Sequence, residues 1–547
     1  MQPVGALHSS QTSRRLVGGT RILWRLRRTD VPNATKPRSH REDLSEKRRR
    51  MNGLDMPKAL STFEALVPIV SLILLVAIAY YIFGEASTSG PTQVALVVAT
   101  MIAVFIAWRR GHSLSSLNAA ATASVSSGIG AIFILFAVGA LIGTWALSGT
   151  LIAMVYYGMQ ILNPAYFYVT AAAICAVVSF CIGSSWTVVG TIGIGLMGIA
   201  LSIDMDPAIT AGAVISGAYF GDTISPLSDS ANLVAGMVGA NLYEHIRETA
   251  LTTSGALAIA LLVFWTIGKP ADFDISNEIA AIERAFDVSP VLSLPLIVVV
   301  GLALCRLPPF TSIFIGAIVA CALAAIIAPE RVMAFASTVS REDLPPWLLL
   351  LKGVWLAFAN GYVSATGVAD IDQLLSRGGM ESMLNTIWLV IAALAFGGVV
   401  EKAGVLDKLV RPVINAAKTA GTLIISLVAA VFATNVVTAD QYISIALPGR
   451  MFKTAFASRG FAPVVLSRAV GGAATPTSAL VPWNSCGAYM AATLGVATLD
   501  YVPYAIFSLL SPLLVVVVAF AGVRMQRVSD TDKESSEQRG RTTPDGG

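Results

Sequence analysis

Residues 216–229 read Ser-Gly-Ala-Tyr-Phe-Gly-Asp-Thr-Ile-Ser-Pro-Leu-Ser-Asp, and residues 472–485 read Gly-Ala-Ala-Thr-Pro-Thr-Ser-Ala-Leu-Val-Pro-Trp-Asn-Ser. In both stretches, which lie 256 positions apart, small residues precede a proline, and hydroxyl, amide or carboxyl side chains follow it. At an offset of 255, segment 140–149 aligns with segment 395–404. The nearly constant offset predicts two related halves. Glycine- and proline-interrupted apolar pieces at corresponding places in two halves are typical of transporter sites built from broken helices.

The composition places the body of the chain in a membrane. Of its 547 residues, 55% are hydrophobic and 13% charged, with a mean hydropathy of +0.72, whereas soluble domains carry about a quarter charged residues. This excludes a soluble enzyme, a nucleic-acid binder and a disordered scaffold. Long apolar runs exclude an outer-membrane barrel. We predict an all-α polytopic membrane protein with about 10–12 transmembrane helices in two inverted-topology repeats, with broken helices or re-entrant hairpins.

Loop charges predict that the two halves are inverted. The loop that carries Lys402, Lys408, Arg411 and Lys418 is basic, but its counterpart at 147–163 has no charged residue. Basic loops face the cytoplasm. Equivalent loops of the two halves are therefore expected on opposite sides of the membrane.

Charge and hydropathy also predict the domain organisation. The expected order is a basic, disordered cytoplasmic tail (1–58), transmembrane repeat 1 (59–269), an acidic connecting loop (270–289), transmembrane repeat 2 (290–523) and a disordered C-terminal tail (524–547). The basic cluster at 47–50 predicts a cytoplasmic N-terminus. Two alternatives for the first tail stay open: a mitochondrial presequence, and a true start at Met51 or Met56.

The sequence contains no signature of a cofactor. Its five cysteines have no metal-ligand or redox spacing, and they are interpreted as small packed hydrophobic residues. No nucleotide-binding loop or nucleophile triad occurs in the sequence. We therefore expect no cofactor, no transition metal and no nucleic-acid partner, with an ion gradient as the energy source.

The candidate ion- or proton-binding residues of the first half surround Pro226. Asp222 and Asp229 flank this proline, and Ser225, Ser228 and Asn232 lie close in sequence. Carboxylates at membrane depth are costly and therefore point to function, and hard cations prefer oxygen ligands. The alternative is a polar loop at the water interface with an aspartate as a helix cap.

The second half contributes Asp440, which interrupts an apolar run, and the polar group Thr475, Asn484 and Ser485. Helix breaks are expected at Gly183, Pro226 and Pro482. A salt bridge from Asp440 to Arg468 or Arg450 is an alternative that stays open. Arg468 is the candidate charge partner of a buried acid or of a substrate carboxylate.

Several motifs together resemble the NhaC-type Na+/H+ antiporter family of the ion transporter superfamily. They are ALIGTWALSGT (140–150), GSSWTVVGTIGIGLMGIA (183–200), GAVISGAYFGDTISPLSDSANL (212–233), TADQYISIALPGRMF (438–452) and LVPWNSCGAYM (480–490). The resemblance covers about residues 60 to 523 and implies an inner-membrane antiporter with hairpins or broken helices that meet at its centre. Its polar motifs fall on Asp222, Ser225, Asp229, Asn232, Asp440, Asn484 and Ser485. The family's usual Ser-Asp-Thr-Thr-Asn run is Ser-Asp-Ser-Ala-Asn here, so Ala231 lacks a hydroxyl.

The resulting hypothesis is exchange of cytoplasmic Na+, with Li+ as a further candidate, for external H+. A carboxylate that binds either a proton or a cation couples the two fluxes, and Asp229 is the first choice for this role. The alternative is H+- or Na+-coupled transport or exchange of a small organic acid or amino acid. Besides Na+, H+ and the lipid bilayer, a homodimer partner is left open.

Overall fold

The computed structural model describes residues 58–268, 276–338 and 344–527. Most of the predicted tails at 1–58 and 524–547 (residues 1–57 and 528–547), and residues 270–275 of the predicted acidic loop at 270–289, therefore lie outside the described residues. The described part is all-α, as predicted, with only two isolated β-bridges, Tyr362 with Arg377 and Phe461 with Arg527. The second bridge includes a residue of the segment that the sequence predicts as disordered tail.

The helices of the first half precede residue 268. They are α1 (Thr62–Phe83), α2 (Pro91–Arg109), α3 (Leu114–Ser127), α4 (Ile129–Ser148), α5 (Thr150–Ile161), α6 (Phe167–Ile182), α7 (Ser185–Ser202), α8 (Pro207–Ile224), α9 (Asp229–Val238) and α10 (Leu242–Ile267). Helix α7 contains one π-helical turn at Val189–Gly193.

Helix α11 (Ser276–Ala285) lies within the predicted connecting loop, and the second half follows it. Its helices are α12 (Leu294–Leu304), α13 (Pro309–Ile327), α14 (Pro329–Ser337), α15 (Pro346–Ala359), α16 (Ala369–Leu375), α17 (Leu384–Lys402), α18 (Val405–Ala416), α19 (Ala420–Thr438), α20 (Gln441–Ser458), α21 (Pro463–Ser478), α22 (Ser485–Leu494), α23 (Thr498–Tyr501) and α24 (Ile506–Phe520).

The helices make this a multi-pass membrane protein. Within the described ranges, 9 helices are long and apolar enough to cross a membrane. A tenth span results if the pair Thr498–Tyr504 and Ile506–Phe520, bent by 57°, is counted as one. Ten is the lower end of the predicted range, because several apolar helices, such as α5 and α15, are shorter than a span.

Helix boundaries recur between the two halves at the offset found in the sequence. Helices α7 and α20 start 256 residues apart and end 256 residues apart, and so do α9 and α22. Left-handed backbone conformations recur as well, at Gly183 and Ala439 and at Gly239 and Gly495. The two halves thus share their helix breaks, while their opposite orientation in the membrane stays a prediction.

Small residues allow α6 and α8 to pack very closely. A Cβ atom at Gly217 would lie 2.1 Å from the carbonyl oxygen of Ala172, and one at Gly221 would lie 2.3 Å from the backbone nitrogen of Phe180. Small side chains are the usual means by which helices approach closely in membranes. This contact places the end of α8 beside the break that follows α6.

Candidate functional site

Two helix breaks, one in each half, lie at the candidate site. Helix α6 ends at Gly183 with φ of 79°, and the Ser184 hydroxyl accepts a hydrogen bond from the Thr187 backbone nitrogen (3.2 Å) to cap α7. In the second half Ala439 takes the same left-handed conformation, with φ of 57°. Asp440 then caps α20, because its Oδ1 accepts from the Ile443 nitrogen at 2.8 Å. A neutral cap and an acidic cap therefore occupy equivalent positions.

Two further breaks contain the prolines that the sequence singles out. Helix α8 ends at Ile224, and the Ser228 hydroxyl caps α9 by accepting from the Ala231 nitrogen at 3.3 Å. In the second half α21 ends at Ser478, and Asn484 caps α22 by accepting from the Cys486 nitrogen at 3.0 Å. The short helices α9 and α22 thus each start after a polar capping residue, two positions beyond Pro226 and Pro482 respectively. The two capping residues, Ser228 and Asn484, lie 256 positions apart.

A cavity of about 650 Å³, called here the first cavity, joins both halves. Its polar lining comes from Ser127, Ser184, Thr187, Asp222, Asp229, Ser230, Asn232, Arg306, Asp440, Gln441, Tyr442 and Ser485. The start of α4 and the turn between α12 and α13 supply further walls. Gly183 and Pro226 also line this cavity. The structure therefore brings Asp222, Asp229 and Asp440 to one cavity that is large enough to hold water.

Asp222 is buried and held by hydroxyl groups. Its Oδ2 accepts from the Ser185 hydroxyl at 2.6 Å and the Ser185 nitrogen at 3.3 Å. Its Oδ1 accepts from the hydroxyls of Ser228 at 2.6 Å and Ser230 at 3.2 Å. Each hydroxyl is a rotatable donor with lone pairs of its own. The group can therefore turn oxygen atoms toward a cation.

Asp229 lies in a different environment from Asp222. It is exposed at the first turn of α9 and lines the first cavity. No hydrogen bond or ion pair reaches the Asp229 carboxylate from the described ranges. Asp440 is 8% exposed and is used as a helix cap. Within residues 58–268, 276–338 and 344–527, no three His, Cys, Asp or Glu side chains are grouped so that they could hold one metal ion.

Four other predicted site residues, Ser225, Thr475, Pro482 and Asn484, do not line the first cavity. The Ser225 hydroxyl donates to the Phe180 carbonyl at 2.7 Å. The Asn484 amide donates to the Asn435 carbonyl at 3.1 Å, which ties the start of α22 to α19. Thr475 is buried within α21. Pro482 lines a separate cavity.

Arg468 pairs with an acid other than Asp440. It is fully buried, and its Nη1 lies 3.6 Å from Oε2 of Glu248 on α10. Nη1 also donates to the Arg524 carbonyl at 3.2 Å. The open alternative of an Asp440–Arg468 bridge is therefore not the arrangement in this structure. Arg468 does not line the first cavity either.

Four residues of the site are not among the ion-binding residues predicted from the sequence. Ser185 and Ser230 hold Asp222, and Gln441 accepts from the Ser478 hydroxyl at 3.1 Å while it lines the first cavity. Arg306 lines this cavity from the turn before α13. Ser185, Ser230 and Gln441 adjoin quoted polar motifs, which was a usable signal, but nothing near Arg306 marks it.

A polytopic helical protein whose two halves place broken helices around one polar cavity has the architecture of a secondary transporter. The chain belongs to the Na+/H+ antiporter family, whose model matches residues 53–264 and 217–523. It is accordingly an antiporter rather than an enzyme, which confirms the resemblance found in the motifs.

Relatives of this chain differ in their named substrates. The Na+/H+ antiporter NhaC of Alkalihalophilus pseudofirmus is 35% identical over 465 residues, covering 84% of this chain and 96% of that protein. The arginine/ornithine antiporter ArcD of Halobacterium salinarum is 32% identical over 487 residues, covering 87% and 95%. The malate-2H+/Na+-lactate antiporter of Bacillus subtilis is 31% identical over 476 residues, covering 85% and 95%.

Proposed function

We propose that this antiporter exchanges cytoplasmic Na+, or Li+, for external H+ across the inner membrane, with its N-terminus in the cytoplasm. The observation that carries the proposal is the meeting of Asp222, Asp229 and Asp440 at one cavity between helix breaks of both halves. Acids at such a place are functional by default. The family name and the relative NhaC agree with these ions.

Competition at a carboxylate couples the two fluxes. An aspartate that holds either a proton or Na+ is neutral as a site in both cases, whereas an empty, charged site is costly to move through a low-dielectric barrier. The transporter therefore switches between its inward-open and outward-open states only when the site holds a proton or Na+. Neither ion then crosses the membrane without exchange for the other.

Asp229 is the proposed exchange site. Its carboxylate lines the first cavity and has no hydrogen-bond or ion-pair partner among the described residues. The nearby Ser230 and Asn232 also line the cavity and carry oxygen atoms. Asp222 and Asp440 are proposed to support the bound cation electrostatically from the two halves. The cation would complete its shell with hydroxyl, amide and water oxygens.

Proteoliposomes with an acid interior and an enclosed pH dye test this proposal. Adding Na+ or Li+ is expected to dissipate the gradient with the wild-type protein and to do so at least tenfold more slowly with Asp229→Asn. The matched control is Asp407→Asn, which alters an exposed acid on α18 outside the first cavity. Loss of exchange in the control, or full exchange in Asp229→Asn, would contradict the assignment.

A second candidate function, exchange of a small organic acid or amino acid, is favoured by Arg306. This arginine is exposed, has a left-handed backbone with φ of 64°, and is the one basic side chain among the described residues that line the first cavity. Guanidinium groups bind carboxylates with paired hydrogen bonds. The 650 Å³ volume also falls in the range of about 300–1,000 Å³ typical of small-molecule sites.

The two candidates differ in how they respond to Arg306→Gln. For Na+/H+ exchange, loss of a nearby positive charge is expected to lower the Na+ concentration for half-maximal rate about threefold or more. For organic-anion exchange, the same variant is expected to lose transport of malate, lactate or amino acids. Arg411→Gln, which changes an arginine outside the first cavity, is the control for both. Wild-type exchange of an organic solute with no response to any cation would overturn the leading proposal.

A further inference from the structure

A second cavity, of about 630 Å³, lies at the opposite end of α8 from the first. Asp206, Pro207 and Ala208, at the start of α8, line the second cavity, while Asp222, near its end, lines the first. Helix α8 has 18 residues and is therefore about 27 Å long. This length approaches the thickness of a bilayer core, about 30 Å. The two cavities are thus separated along the direction of the spans.

The walls of the two cavities occupy equivalent positions in the two halves. The first cavity is lined by Gly130, Ala131 and Ile134 of α4, and by Pro226 and Asn232. The counterparts of the three α4 residues, 255 positions later, are Asn385, Thr386 and Leu389. The counterparts of Pro226 and Asn232, 256 positions later, are Pro482 and Ala488. All five counterparts line the second cavity. The second cavity is therefore the counterpart of the first within the internal repeat.

Helix α4 and its counterpart in the second half, α17, run in opposite directions. The start of α4 lies at the first cavity, beside the end of α8, whereas the start of its counterpart α17 lies at the second cavity, beside the start of α8. Equivalent helices that begin at opposite ends of one spanning helix run in opposite directions. An inverted repeat requires this relation.

Helix α22 separates the cavities. Ser485 and Cys486 at its start line the first cavity, whereas Ala488, Ala491, Ala492 and Gly495 line the second. Tyr489 of the same helix is buried and lines neither cavity. Its ring stacks on Trp186, which lines the first cavity, at a centroid distance of 4.1 Å, and its hydroxyl donates to the Trp186 carbonyl at 2.8 Å. This aromatic contact between the two halves therefore packs α22 against the wall of the first cavity, and we interpret it as part of the barrier between the two cavities.

We propose that the second cavity is the opposite mouth of the same transport pathway, and that Asn385 and Thr386 line the route of the transported cation there. The lining suits a hydrated cation, because it combines hydroxyl and amide groups with the carboxylates of Asp206 and Asp500. The identity of this occupant rests on the proposed Na+/H+ exchange. The pairing of the two mouths rests on geometry alone.

Thiol labelling from each side of the membrane tests the pairing. Single cysteines are placed by Ala131→Cys in the first cavity and Thr386→Cys in the second, in a full-length chain whose five native cysteines are replaced by serine. A membrane-impermeant maleimide is then added to right-side-out and to inside-out vesicles. Ile391→Cys is the matched control, because Ile391 lies on the exposed surface of the same helix as Thr386, within its apolar span.

We expect Ala131→Cys to react at least tenfold faster in one vesicle orientation and Thr386→Cys at least tenfold faster in the other, while Ile391→Cys reacts in neither. Reaction of both cavity positions from the same side would overturn the proposal. So would a lack of reaction at both Thr386→Cys and the neighbouring Asn385→Cys, which serves if Thr386→Cys does not fold. Labelling needs no substrate, so a failure of Na+/H+ exchange leaves this result readable.

Discussion

The Asp222 carboxylate shows how single residues prepare the site. It accepts from Ser185, Ser228 and Ser230, and Ser228 also caps α9. The capping residue of the short helix is therefore also a donor to the buried acid. Removal of the Ser228 hydroxyl therefore removes both the cap of α9 and a hydrogen bond to Asp222.

Ser228→Ala is expected to affect both roles. Loss of an N-cap lowers the free energy of unfolding by about 0.5–2 kcal/mol. Loss of a hydrogen bond to a charged group, worth about 1.5–3 kcal/mol, is expected to change the Na+ concentration for half-maximal exchange by about tenfold. Exchange kinetics in proteoliposomes and thermal unfolding in detergent measure the two effects.

Ser113→Ala is the matched control, because the Ser113 hydroxyl caps α3 by accepting from the Ser116 nitrogen at 3.2 Å, far along the chain from Asp222. It is expected to lose similar stability and to keep the wild-type Na+ dependence. If both variants show the same Na+ dependence, Ser228 acts only as a cap.

At the scale of elements, α4 is held by the segment that precedes α17. The Gly379 nitrogen donates to the Gly139 carbonyl at 2.7 Å, and a Cβ atom at Gly139 would lie 2.5 Å from the Gly379 carbonyl oxygen. The lack of a side chain at Gly139 is therefore a condition of this contact. Helix α4 also lines the first cavity, so the contact bears on the site.

Gly139→Ala is expected to lower the free energy of unfolding by about 1–3 kcal/mol, because the added methyl group forces backbone apart. Thermal unfolding in detergent measures this loss. Gly130→Ala on the same helix is the control, since a Cβ atom there meets nothing within 4 Å. It is expected to match or exceed wild-type stability, because alanine is the better helix former. Equal stability of the two variants would contradict the tight contact.

Asp372 of α16, which lies outside the membrane-spanning helices, carries a predicted pH response. Hydrogen bonds from the Thr366 nitrogen, the Ser364 hydroxyl and the Thr366 hydroxyl lower the pKa of Asp372 to about 2. A pKa below the ordinary value of about 3.9 means that ionised Asp372 stabilises the fold above that value. This contribution is lost as the pH falls from about 4 toward 2.

Asp372→Asn is therefore expected to reduce stability near neutral pH and to weaken the loss of stability on acidification over that interval. Unfolding in detergent at a series of pH values measures the difference between wild type and variant. Asp407→Asn on α18 is the control for removal of a carboxylate elsewhere on the protein. A constant difference between wild type and Asp372→Asn at all pH values would contradict this origin of the effect.

At the scale of the whole molecule, the sequence predicts the all-α membrane fold and the repeated helix breaks, because apolar length and the positions of Pro226 and Pro482 are local signals. It does not predict that Ser185 binds Asp222. Ser185 is 37 positions away, and it reaches Asp222 only through the glycine-dependent packing of α6 on α8.

Other contacts also depend on residues that are distant in the sequence. Arg468 pairs with Glu248, which lies 220 positions earlier on α10, so no spacing in the sequence identifies this partner. Arg306 reaches the first cavity because the turn between α12 and α13 packs beside the start of α4. Local patterns thus identify the breaks, while the tertiary packing decides which side chains face the cavity.

The proposed exchange requires that a carboxylate in the first cavity binds either a proton or Na+. Proton release from purified protein in a weakly buffered detergent solution, recorded with a pH dye on adding Na+, measures this competition without a membrane gradient. Na+, but not choline, is expected to release protons from the wild type, and Asp229→Asn is expected to release far fewer. Na+ binding to the wild type without proton release, or undiminished release from Asp229→Asn, would contradict this requirement.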